Sequence, residues 1–146
     1  MGVRRHLVKD WMTPDPVTIG PDTTLPEAAR LMKECRIRRL PVVESGRLVG
    51  IVTLGDIREA SPSTATSLTI YELNYLLSRL VVREIMTHDP IAITPDTSIE
   101  AAARLMLEHK IGGLPVTDCN KVVGIITESD IFRLLVNEGE LRPTFA

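Results

Sequence analysis

Two short motifs carry the side chains best suited to hold a ligand. Thr53-x-x-Asp56 stands where a β-branched run gives way to a segment with helical spacing, and Thr127-x-x-Asp130 repeats it. At such a junction backbone N–H groups point outward and the helix start favours an anion, so a phosphate can sit there. The Thr53 hydroxyl can donate to a phosphate or ribose oxygen, and the acceptor-only carboxylate of Asp56 can take both hydrogens of a ribose diol. Carboxylate and phosphate repel, so Asp56 should face the sugar. The same residues admit a structural role, because Thr-x-x-Asp ahead of an apolar stretch is close to a capping box. The two roles are compatible, since a cap can also line a cleft.

A second cluster is Arg36, Arg38 and Arg39, directly after a long amphipathic segment. One reading is a solvated cationic helix end that complements the dipole. The other is an anion contact, for which the planar fork of arginine is well shaped.

These residues sit in a duplicated framework. Val8 to Glu59 aligns without a gap on Val82 to Arg133, with roughly half the positions identical, which chance does not produce. Met12-Thr13 returns as Met86-Thr87, Leu40-Pro41-Val42 as Leu114-Pro115-Val116, and Gly50-Ile51-x-Thr53-x-x-Asp56 as Gly124-Ile125-x-Thr127-x-x-Asp130. Arg38 and Arg39, however, align with Gly112 and Gly113, so the fold itself does not demand arginine there.

One copy reads as strand, helix, strand, strand, helix. Val17 to Ile19 is extended and is stopped by Gly20-Pro21, and Asp22-Thr23-Thr24 offers helix caps. Leu25, Ala28, Ala29, Met32 and Cys35 recur on one helical face. Leu40 to Val43 and Leu48 to Thr53 form a hairpin around Glu44-Ser45-Gly46-Arg47; Gly46 is matched by Asn120, and both residue types suit positive φ. A short helix starts near Asp56. Ser61 to Ser67 reads as a loop, and Ile70, Leu73, Leu77 and Leu80 mark a linker helix. The expected organisation is repeat 1 over 1–60, linker over 61–81, repeat 2 over 82–137 and a tail over 138–146, in the α/β (α+β) class. Two such small units can bury apolar faces on each other about a pseudo-twofold axis.

The duplicated Met-Thr opening, Leu-Pro-Val strand and Gly-x-x-Thr-x-x-Asp ending resemble the CBS domain, and the chain resembles a tandem CBS pair, or Bateman module. The resemblance covers nearly everything outside the linker and the tail. It implies a regulatory sensor that dimerises, acts on a regulated protein, and binds an adenosine-containing ligand such as AMP, ADP, ATP, NAD or S-adenosylmethionine in a cleft between the repeats. It also implies that Asp56 and Asp130 hold ribose, and that basic residues just before Leu-Pro-Val, here Arg38 and Arg39, reach phosphates. Gly112 and Gly113 would instead allow close backbone approach by an adenosine moiety. The extended pieces containing Thr18 with Ile19 and Ala92 with Ile93 would line the cleft, although Ile and Ala are equally ordinary core residues. The alternative function is a ligand-free dimerisation scaffold.

Other classes find little support. No nucleophile, acid–base pair or metal set accompanies Thr and Asp, so no catalysis and no obligatory cofactor are expected. Cys35, Cys119 and the scattered His6, His88 and His109 lack metal-ligand spacing, and the two thiols read as reduced residues in or near the core. A net charge of −2 and 3% aromatic residues argue against nucleic acid. No apolar run suits export or a membrane span, and His6 stands where a myristoylation motif needs Ser or Thr, so a soluble cytoplasmic protein is expected.

Overall fold

The structure, a computed structural model, describes residues 6–61 and 69–141. In chain order its elements are α1 (Val8–Trp11), β1 (Thr13–Pro14), α2 (Leu25–Cys35), β2 (Arg39–Glu44), β3 (Arg47–Thr53), α3 (Leu54–Ala60) and α4 (Ile70–Arg79). A turn of 3-10 helix (Val82–Glu84) follows, then β4 (Thr87–His88), α5 (Ile99–His109), β5 (Gly113–Asp118), β6 (Lys121–Thr127) and α6 (Glu128–Leu141). The mixed helix and sheet class is as expected. The loop read over Ser61 to Ser67 lies, after Ser61, outside the described residues.

Two compact units form, and they are offset from the sequence repeats. One comprises Met1–Pro16 with Ile91–Ala146; the other is Val17–Pro90. Each contains a three-stranded antiparallel sheet, ordered β1-β6-β5 in the first and β2-β3-β4 in the second. The Met-Thr opening of each repeat therefore completes the sheet of the other. Thr13 pairs with Ile125 and Pro14 with Gly124, while Thr87 pairs with Ile51 and His88 with Gly50.

Val17 to Ile19, expected as a strand, makes only one parallel bridge, from Ile19 to Val42; Ile93 repeats it with Val116. Ile19 donates its N–H to the Pro41 carbonyl at 3.1 Å and accepts from Val43 at 2.8 Å. Gly20-Pro21 ends the extension there, because proline has no N–H to carry a ladder onward.

Both expected hairpins form, each with a register shift on its first strand, between Val42 and Val43 and between Val116 and Thr117. Ser45 and Gly46 have φ of 52° and 78°, and Cys119 and Asn120 have 52° and 67°. Two consecutive positive φ values give the tight turn whose twist matches the flanking strands. Helix α2 starts at Thr24, whose hydroxyl accepts from the Glu27 N–H at 3.3 Å, and α5 starts likewise at Ser98, accepting from Ala101 at 3.1 Å. Arg36 and Lys110 end these helices in the left-handed region, at φ 56° and 55°. Arg36 is thus a backbone cap as well as a cation at a helix end.

In the Val17–Pro90 unit, Leu25, Ala28, Met32, Leu40, Val42, Val52, Ile57, Val82 and Met86 form the core; in the other, Val8, Ile99, Ala102, Met106, Leu114, Val116, Ile126 and Leu134 do so. The cysteines depart from expectation: Cys35 and Cys119 are free and exposed, because Cys35 falls on the last turn of α2 and Cys119 in a hairpin turn. The linker helix is α4, opened by reciprocal hydrogen bonds between Thr69 and Glu72 at 3.2 and 3.4 Å. The side chains of Ile70, Leu73 and Leu77 lie outside the described set, and Leu80 is half-buried. Helix α6 continues to Leu141, past the point where a tail was expected, and Glu138 on it meets His6 at 3.0 Å.

Candidate functional site

In the Val17–Pro90 unit the open end of the β2–β3 hairpin gathers most of the sequence-selected residues. Arg39 opens β2 and lies opposite Thr53, the last residue of β3. The Arg38 carbonyl accepts the Leu54 N–H at 2.7 Å, holding the Arg38-Arg39 backbone against the start of α3. Arg38 is exposed and Arg39 half-buried. Ile19 meets β2 at Val42, about 10 Å along the strand from Arg39 at ~3.3 Å per residue. Ile19 itself is buried in the core, as its ordinary reading held, whereas neighbouring Thr18 is exposed.

Thr53 and Asp56 form a true capping box. The Thr53 hydroxyl accepts the Asp56 N–H at 3.0 Å, and Asp56 Oδ2 accepts the Thr53 N–H at 2.8 Å. With the Asp56 N–H given to the Thr53 hydroxyl and the Leu54 N–H to the Arg38 carbonyl, the outward-pointing donors expected for a phosphate are largely spent. The side chains keep ligand capacity: Thr53 retains its own O–H, and Asp56 Oδ1 accepts no hydrogen bond from the described residues. Replacing Thr53 with Ala is expected to cost about 1 kcal/mol through the cap, read as a fall in urea midpoint. Beyond Asp56, an open hollow of about 190 Å³ is lined by Asp56, Glu59, Ala60 and Ile85.

The corresponding group in the other unit is wired differently. Gly113 opens β5 opposite Thr127, and the Gly112 carbonyl accepts from Glu128 at 3.1 Å. Ile93 is buried and Ala92 exposed. Asp130 is 4% exposed, the buried acid among the described residues. Its Oδ2 accepts the Thr127 N–H at 2.9 Å and the Thr127 hydroxyl at 3.2 Å, and its Oδ1 accepts from Arg133 Nη2. Thr127 thus spends its hydroxyl inward, where Thr53 does not.

Arg133, Glu59 and Ile85 were missed by the sequence reading. The signal for the first two was present: they occupy the same repeat position, three residues after the aspartate, where helical side chains meet. Ile85 gave none, because its segment comes from the other repeat. Among the described residues no group of three or more His, Cys, Asp or Glu side chains converges to hold a metal ion, and no helix is long and apolar enough to cross a membrane.

Comparison with known proteins bears on this geometry. The CBS domain family model matches residues 8–63 and 82–137. The CBS domain-containing protein YhcV of Bacillus subtilis is 37% identical over 85% of this chain and 81% of its own length. An inosine-5'-monophosphate dehydrogenase of Korarchaeum cryptofilum is 34% identical over 81% of this chain, but the match spans only 22% of that enzyme. Among solved structures, the CBS domain pair of protein MJ0100 in complex with 5'-methylthioadenosine and S-adenosyl-L-methionine superposes with a TM-score of 0.78 at 32% identity, covering 92% of this chain and 99% of that one. CBSX2 in complex with AMP gives 0.76 at 32% identity, covering 92% and 98%. Two matched repeats, the hairpins they build and the Thr-x-x-Asp motifs that follow them make this chain a member of the CBS-domain family, with two CBS domains in tandem.

Proposed function

We propose that the protein is a non-catalytic regulatory module that binds an adenosine-containing ligand and signals through the geometry of a homodimer or of a contact with a regulated protein. The observation that carries this reading is Asp56, a carboxylate with one oxygen held by the cap and the other open, on a helix whose first N–H is held by the carbonyl of exposed Arg38. The carboxylate suits a ribose diol and the guanidinium a phosphate, which together favour an adenine nucleotide (AMP, ADP or ATP) over a bare nucleoside. The likeness to CBS pairs that carry AMP, or S-adenosylmethionine with 5'-methylthioadenosine, supports the adenosine part. The homodimer is supported by α6, which exposes Phe132, Leu135 and Val136 at 58%, 63% and 59%, adjacent on its surface. A cytoplasmic setting suits the two free, exposed thiols. Regulation follows only if the ligand binds two states unequally.

A thermal-shift panel of AMP, ADP, ATP, NAD, NADH and S-adenosylmethionine, run on protein first freed of ligand, tests the reading. At about a hundred times its dissociation constant a ligand adds roughly 2.7 kcal/mol, or on the order of 5–10 °C in Tm. Asp56→Ala should cut that shift to what the Thr127–Asp130 site supplies. A wild type that responds to none of the six, yet sediments as a dimer throughout, would sink this reading in favour of an assembly scaffold.

A further inference from the structure

A carboxylate offers about four lone-pair positions, and a ribose diol needs two of them. Asp56 has one filled, by the Thr53 N–H, so a diol can bind it as it stands. Asp130 has three filled: two on Oδ2 by Thr127, and one on Oδ1 by Arg133. One position remains, which is too few. The two Thr127 bonds both fall on Oδ2, so a diol must take Oδ1, where Arg133 stands. Arg133 differs, because its side chain is 59% exposed while the carboxylate it holds is buried. The arginine can leave Oδ1 without unravelling the fold, since its charge can return to water.

We propose that Arg133 is a specificity-determining residue of the second repeat's site, a latch that must release Asp130 before ribose binds and that then pairs with the ligand's phosphate. This rests on the adenosine-binding reading above. A phosphorylated nucleoside exchanges one anion partner of Arg133 for another, because its phosphate lies one ribose ring away from the diol, within the sweep of an arginine side chain. An unphosphorylated nucleoside breaks the Asp130–Arg133 pair and provides nothing in return. The first repeat has Glu59 at this position and no latch, its cations being Arg38 and Arg39. The two sites would therefore reach phosphate from different elements, the β2 start in one and the second turn of α6 in the other.

The test is calorimetric titration of the full chain with adenosine and with AMP. In an Asp56→Ala background, which leaves the second site, Arg133→Ala should tighten adenosine about 3- to 10-fold while AMP is unchanged or weaker, so that the AMP-over-adenosine preference falls by about 10-fold. The transplant Glu59→Arg, in an Asp130→Ala background, should weaken adenosine at the first site and spare AMP; this variant alters an exposed residue and keeps the question open to refutation even if Arg133→Ala folds poorly. Equal changes for both ligands in either pair, or no change, overturn the latch while leaving adenosine binding intact. A wild type that binds neither adenosine nor AMP overturns the latch, whereas the functional reading falls only if all six ligands of the thermal-shift panel fail as well.

Discussion

Deleting residues 1–16 is expected to unfold the half of the protein that carries the second repeat, while the hairpin of the first repeat keeps its protection. The deleted segment belongs to the unit built on Ile91–Ala146. Val8 is fully buried there, and Trp11 and Met12 pack against the same core. The Val8 N–H donates to Thr97 at 2.8 Å, Lys9 to Pro95 at 3.0 Å and Ile99 to His6 at 2.8 Å, and β1 adds the third strand beside β6. Burial of one such side chain contributes roughly 1.5–3 kcal/mol, so losing three apolar anchors together removes at least about 3 kcal/mol, a large part of the ~5–15 kcal/mol that holds an ordinary domain. Residue-resolved hydrogen exchange reads the outcome. Loss of protection across 113–127 with 39–53 retained is the expected pattern; loss across 39–53 first would contradict the exchange of openings between repeats.

The second large effect concerns Gly50 and Gly124. A Cβ on Gly124 would lie 2.3 Å from Met12 Sδ and 3.0 Å from its Cγ; on Gly50 it would lie 2.4 Å from Met86 Sδ and 3.0 Å from the Thr87 carbonyl oxygen. The glycines are required by close approach, since neither has positive φ. Gly124→Val and Gly50→Val should each destabilise by about 1–3 kcal/mol or more through overpacking, measured by chemical denaturation. Trimming the obstacle should show coupling of about 0.5–3 kcal/mol in a double-mutant cycle. Met12→Ala should rescue Gly124→Val well, because a side chain is the obstruction. Met86→Ala should rescue Gly50→Val less, because the Thr87 backbone remains. Strict additivity in both cycles would mean that the methionines do not cross these glycines.

Much of this architecture was legible in the residues. Helix α2 was visible from Leu25, Ala28 and Met32, and the hairpins from β-branched runs around Gly46 and Asn120, because periodicity and turn chemistry are local properties. The Thr53–Asp56 box was equally local. Cys35 continues the apolar spacing of α2, yet lies on the final turn, where the helix leaves the core and the thiol meets solvent. Arg133 lay in plain sight at helical spacing from Asp130, but only its placement showed that it occupies a carboxylate position a ligand would need.

The sequence by itself determined that one unit is written twice, which elements each copy forms, and that the copies differ at Arg38-Arg39 against Gly112-Gly113 and at Glu59 against Arg133. Only the tertiary structure decided which copy each opening strand serves and how each aspartate is partnered. The physical reason is range. Helical faces, caps and turns are set by residues a few positions apart, whereas Met12 meeting Gly124 and Met86 meeting Gly50 are contacts between distant segments, and identical motifs in the two copies leave that pairing undetermined until the cores close.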